Sequence, residues 1–93
     1  MKPARLEASF RAQVRKLAKA EKRKVGEAIR RAEEIFGMPH VHSGVGVRKL
    51  TRDYFEARAD LHLRLIFKHL PDVLSFEFIG NHHEVHTFLK ARK

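Results

Sequence analysis

Cysteine is absent from this chain, which removes disulfides from the means of stabilising it and excludes thiolate metal sites and cysteine nucleophiles. The absence is compatible with a reducing cytosol, and a cytoplasmic location is the expectation. No apolar run approaches the roughly 18 residues needed to span a bilayer, and the start lacks the apolar segment of a secretory signal. A phosphate-cradling glycine loop is missing as well: Gly44-Val45-Gly46 precedes a strand pattern, whereas a nucleotide loop opens a helix. Internal repeats, linkers and low-complexity segments are not found, so residues 1–93 read as one domain with a single modest core.

Negative charge is the other shortage. Twenty Lys/Arg stand against 11 Asp/Glu, giving a formal net charge of +9 and a pI near 10.5. Residues 1–36 alone hold 11 Lys/Arg and 5 Asp/Glu, so most of the excess lies in the N-terminal region. In so small a protein this field attracts phosphate backbones, anionic surfaces or an acidic partner, and nucleic acid is the favoured target.

Enough apolar residues are present, 43% of the chain, to fold it. Leu6, Phe10, Val14 and Leu17 recur as one helical stripe. Val25, Ala28, Ile29, Ala32, Ile35 and Phe36 form a second, and the register is lost around Ala20–Lys24. Two antiparallel helices with a tight break there are expected, the second ended by Gly37 and Pro39. From Val47 the period changes to two. Thr51-Arg52-Asp53 and Ala59-Asp60 read as hairpin connections, and His69-Leu70-Pro71-Asp72 as a turn. A strand over Leu61–Lys68 points Leu63, Leu65 and Phe67 one way, and Leu74, Phe76 and Phe78 do the same in the next. Asn81 with Glu84 resembles a capping box, opening a short helix that buries Val85, Phe88 and Leu89. The expected architecture is α+β: two N-terminal helices packed on one face of a small antiparallel sheet, with a short C-terminal helix.

The open sheet face should then carry Glu56, Arg58, His62, Arg64, Lys68 and Glu77 as outward side chains. Each alone is ordinary surface; together they mix cations with proton carriers on one short ribbon. Arg64, flanked by Leu63 and Leu65, presents a fork of donors from a rigid strand, as a phosphate or its transition state requires. His82 and His83 fall in the first turn of the last helix, where free N–H groups favour an anion and should disfavour imidazolium, keeping a neutral base available. His83 is the better candidate of the two for a merely solvated residue. Pairs His40/His42 and His82/His86 raise a metal reading, but His83-Glu84-Val85-His86 is one residue short of the zinc-protease pattern, and no metal site is expected.

Four segments in order, Gly46-Val-Arg-Lys-Leu50, Tyr54-Phe-Glu-Ala-Arg58, Leu63-Arg-Leu-Ile-Phe67 and Phe78-Ile-Gly-Asn-His-His-Glu-Val85, resemble the RelE/ParE superfamily of type II toxins. The likeness covers the C-terminal half closely, and the N-terminal helix pair agrees in length and basicity. It implies a ribosome-dependent mRNA endoribonuclease that uses no metal or cofactor, attacks through the ribose 2′-OH, and is neutralised in a hetero-oligomer with a cognate acidic antitoxin. Arg64 matches the superfamily arginine that stabilises the phosphate, and His82 the C-terminal histidine near the scissile bond. Lys49 and Arg58 fall where members place basic groups, and Arg48, His62 and Lys68 complete the candidate RNA-contacting set. Two departures stand out. Glu56 and Ala57 replace central-strand lysines, and no tyrosine follows the last strand. Proton transfer then falls to Glu56, His62, His82 or His83, with Glu56 as base and His82 as acid, or the reverse. A ParE-like gyrase inhibitor without catalysis and a basic RNA-binding module are the alternatives.

Overall fold

The computed structural model describes residues 2–37 and 46–92. Over these, the element order is β1 (Ala4–Leu6), α1 (Ala8–Arg15), α2 (Lys19–Gly37), β2 (Val47–Lys49), β3 (Tyr54–Asp60), β4 (Leu63–His69), β5 (Leu74–Gly80) and α3 (His82–Lys90). The strands form one sheet in the order β1-β5-β4-β3-β2. β1 runs parallel to β5 and every other pairing is antiparallel, so the sheet is mixed where an antiparallel one was expected.

The parallel edge takes residues that the sequence had assigned to a helix. Leu74 donates its N–H to Pro3 O and Glu7 donates to Phe76 O, which ties the first residues alongside β5 and delays α1 until Ala8. Leu6 therefore belongs to the sheet, while Phe10 remains the fully buried residue of α1. The break between helices falls at residues 16–18, earlier than expected. Leu17 N–H closes the end of α1 on Val14 O, and Ala18 N–H donates to Glu21 Oε1 at the start of α2. The charged run from Glu21 to Lys24 is helical; it carries no apolar residue and so shows no stripe.

α1 and α2 lie on one face of the sheet, α1 against β5 and α2 against β3. Phe10, Val25, Ala28 and Ala32 meet Leu63, Leu65, Phe67, Leu74, Phe76 and Ile79 in the main core. Phe67 and Phe76 stack at 4.7 Å between ring centroids and Phe10 tilts onto Phe76 at 5.6 Å. α3 crosses the opposite face, where Tyr54, Ile66, Val85 and Phe88 form a second core with Leu50, Phe78 and Leu89.

Two bulges redistribute side chains between these cores. Ile66 pairs with Phe78 and Phe67 with Phe76, leaving Glu77 as the extra residue of β5. That insertion turns Phe78 away from Phe76, contrary to the expected common face, and stacks it on Phe88 at 4.6 Å. A second shift leaves Ala59 unpaired between Arg58 and Asp60, so the β3–β4 connection is Leu61-His62, beyond the expected Ala59-Asp60. Leu61 is 72% exposed there, and Asp60 Oδ1 accepts from His62 N–H at 3.0 Å. At the following hairpin, Leu70 N–H closes on Val73 O around Pro71 and Asp72.

β5 ends at Gly80, a position that has no room for a larger residue. A Cβ at that position would lie 2.8 Å from both Glu84 Cβ and the Phe78 ring. Asn81 then caps α3 reciprocally: Glu84 N–H donates to Asn81 Oδ1 and Asn81 N–H to Glu84 Oε1, both at 2.8 Å.

Candidate functional site

Strand register decides which polar side chains meet. Arg48 pairs with Glu56, Arg58 with Arg64, and Arg64 with Gly80. Directly opposed residues share a face, and alternation along β3 and β4 places Glu56, Arg58 and Arg64 on the Ile66 side, which α3 partly covers.

On that face Glu56 is the anchor. Only 3% of it is exposed, which overturns its expected position as an outward, solvated carboxylate. Arg64 Nη1 donates to both of its oxygens at 3.1 Å, and Arg48 Nε donates to Oε2 at 3.2 Å. The two arginines differ in access: the Arg48 side chain is 60% exposed and that of Arg64 is 12%. Arg64 Nε is buried and finds no hydrogen-bond partner among the described residues.

Beside this trio a cavity of about 130 Å³ is lined by Gly46, Val47, Arg48, Glu56 and Arg58. Gly46 occupies the left-handed region at φ 81° and accepts the Arg58 N–H. From α2, Arg31 Nη2 donates to Arg58 O at 2.8 Å, fixing the strand backbone that carries the exposed Arg58 side chain. Two guanidiniums thus hold one carboxylate, and a third, Arg58, joins Arg48 in lining the pocket, leaving it cationic.

His82 is related to this cluster through β5. Arg64 lies opposite Gly80, two residues before His82, and α3 starts from that end of the face. His82 and His83 are both exposed in the first turn, with the helix N-terminus behind them. They part company in their surroundings. His83 joins Phe78, Glu84, Thr87 and Phe88 around a groove of about 290 Å³ on the β5 side.

Other candidates lie elsewhere. His62 sits exposed in the β3–β4 turn, off the sheet face where the sequence had placed it. Lys49 pairs with Phe55 and takes the α2 side of β2, away from Arg48. Lys68 is at the far end of β4, roughly 13 Å along the strand from Arg64 at ~3.3 Å per residue. Its ammonium is 4.0 Å from Glu77 Oε2 and 5.2 Å from the Tyr54 ring centroid. Tyr54 donates its hydroxyl to Glu77 Oε1 at 3.0 Å, and burial, reinforced by Glu77, raises its pKa above the ordinary 10.0.

A larger cavity of about 480 Å³ went unnoticed in the sequence. It opens at the C-terminal end of α3 between Arg52, Asp53 and Tyr54 on one side and His86, Leu89, Lys90 and Arg92 on the other. No group of three or more His, Asp or Glu able to hold a metal ion occurs among the described residues, and His40 and His42 lie outside them. No helix among the described residues is long and apolar enough to cross a membrane.

No family model matches the chain, and no curated protein matches it. Solved structures do. A chain of the E. coli DinJ-YafQ complex superposes with a TM-score of 0.56 at 17% identity, covering 91% of this chain and 98% of its own. A copper-bound mutant toxin from Helicobacter pylori gives 0.57 at 16% identity, covering 91% and 99%. With nearly the whole of each chain matched, the arrangement of sheet and helices described above is a fold shared with these two structures.

Proposed function

We propose that this chain is the toxin of a type II toxin–antitoxin pair and cleaves ribosome-bound mRNA through 2′-OH attack. The observation that carries the reading is the Arg48–Glu56–Arg64 cluster at the end of the face from which α3 presents His82. Two guanidiniums held on a rigid sheet suit a phosphodiester, whose charge rises as the phosphorus becomes five-coordinate.

The ribose 2′-oxygen forms a bond to the adjacent phosphorus while the bond to O5′ breaks, giving a 2′,3′-cyclic phosphate and a free 5′-hydroxyl. One proton leaves the 2′-OH and one must reach O5′. His82 is assigned to this exchange, with His83 as its alternate at the same helix start. Arg48, the more exposed arginine, meets the phosphate first, and Arg64 stabilises the charge that develops. Arg58 flanks the pocket along the RNA, His62 lies beyond it at the hairpin tip, and Lys49, on the other face of the sheet, is set aside from this contact.

The exposed cations of the helix pair, Arg11, Arg15, Lys16, Lys19, Lys22 and Arg23 among them, form a second basic surface suited to ribosomal RNA. An acidic antitoxin is the natural partner for a chain of net charge +9, and one neighbour in fold was itself solved as the DinJ-YafQ complex.

Induced expression without an antitoxin tests the reading. Translation should stop with mRNA cut, and Arg64→Ala and His82→Ala should each slow cleavage by about 10²–10³-fold. Growth arrest with intact mRNA and an activated DNA-damage response would assign the fold to gyrase inhibition instead.

A further inference from the structure

We propose that Glu56 is a positioning residue that clamps Arg48 and Arg64 side by side for one phosphodiester, and that it carries no proton in the reaction. The purpose of the clamp rests on the ribonuclease reading; the clamp itself rests on geometry. Both Glu56 oxygens are already engaged, Oε1 by Arg64 and Oε2 by Arg64 and Arg48 together. With 3% of the residue exposed, little of the carboxylate is open to a 2′-hydroxyl. The burial comes from the sheet: Glu56 sits on β3 between β2 and β4, with Arg48 opposite on one side and Ile66 on the other.

Two guanidiniums this close repel each other, and an intervening carboxylate reverses the sign of that interaction. It also fixes their rotamers, because both are bonded to the same group. Arg64 is gripped through Nη1, which leaves its buried Nε–H without a partner among the described residues. Glu56 therefore does with one buried negative charge what a lysine on the same strand could not: it aligns two forks.

This makes an unusual prediction of sign. Removing a negative charge beside a polyanion site should tighten binding if only net charge matters. Glu56→Gln should instead weaken binding of a 2′-deoxy single-stranded oligonucleotide by about tenfold, the usual scale for losing charged hydrogen bonds. In the free protein, the buried Arg64 Nε–Hε should give a resolved, slowly exchanging resonance in the wild type that broadens or collapses toward the exposed arginines in E56Q. Amide spectra of E56Q that remain dispersed show that the fold survives. Should E56Q not fold, Glu56→Asp keeps the charge, draws the carboxylate back, and should shift the same resonance.

Unchanged Arg64 signals, or oligonucleotide binding as tight as or tighter than wild type, overturn the proposal. The resonance is read with no RNA present. Wild-type protein that leaves RNA intact would thus remove the ribonuclease reading and still leave the spectrum to decide the role of Glu56.

Discussion

A guanidinium that a carboxylate grips through one nitrogen still has donors to offer, and Arg64 is in that position. Lysine at the same place would keep the charge and lose the fork. Arg64→Lys should therefore cut RNA cleavage by about 10²–10³-fold in an assay of purified protein on ribosomes. The alanine variant carries a second cost. It leaves Glu56 buried with Arg48 alone, and breaking such a pair from one side destabilises by about 3–5 kcal/mol. Chemical denaturation should accordingly separate the two substitutions, with Arg64→Ala the less stable protein.

At the scale of elements, α3 holds both the histidines and the apolar cover of the second core. Its start depends on a single reciprocal pair, Asn81 with Glu84. Asn81→Ala should lower stability by about 0.5–2 kcal/mol in urea unfolding, and should reduce cleavage more than the fraction unfolded explains, because His82 leaves its place. The β4 end offers a pH test. Lys2 Nζ lies 2.7 Å from His69 Nε2, and an ammonium can only donate, so the ring accepts there as the neutral form. Partial burial, and then the Lys2 charge, lower the His69 pKa from its ordinary 6.5. The unfolded chain thus binds this proton more readily, and stability falls as pH drops from about 6.5 toward the folded value. Melting curves from about pH 7.5 to about pH 5.5 should show a loss that His69→Phe lacks.

These elements also show what the sequence could and could not disclose. Asn81, Glu84 and the stripe of Val85 and Phe88 were legible because caps and helical spacing are local signals. β1 was not, since three residues cannot display a period of two, and Leu6 happened to continue the stripe of α1. Phe78 was assigned to the wrong face because the bulge at Glu77 leaves no mark in composition. Glu56 was read as solvated since alternation reports which side of a strand a residue takes, and not whether that side is covered. Its burial depends on Arg48 and Arg64, contributed by the strands on either side.

For the whole molecule, charge is the dominant quantity. A net +9 on 93 residues, much of it on the helix pair, makes RNA association an ion-exchange process. Affinity should fall by about 10³–10⁵ between 50 and 200 mM salt if six to ten phosphates are engaged. Neutralising exposed helix cations such as Arg15 and Lys19 should flatten that slope and leave the cleavage step unchanged once RNA is bound. An acidic partner would act on the same field, reducing the attraction before any contact with the pocket.

The ends of the cut RNA test the central claim most directly. Ribosomes programmed with a defined mRNA and mixed with the purified protein should yield a 2′,3′-cyclic phosphate on the upstream fragment and a 5′-hydroxyl downstream. A single 2′-deoxyribose at the cleaved position should abolish the cut, and Arg64→Lys in the protein should slow it by about 10²–10³-fold. Cleavage that persists through the deoxy substitution, or mRNA that stays whole while translation stops, would contradict the account.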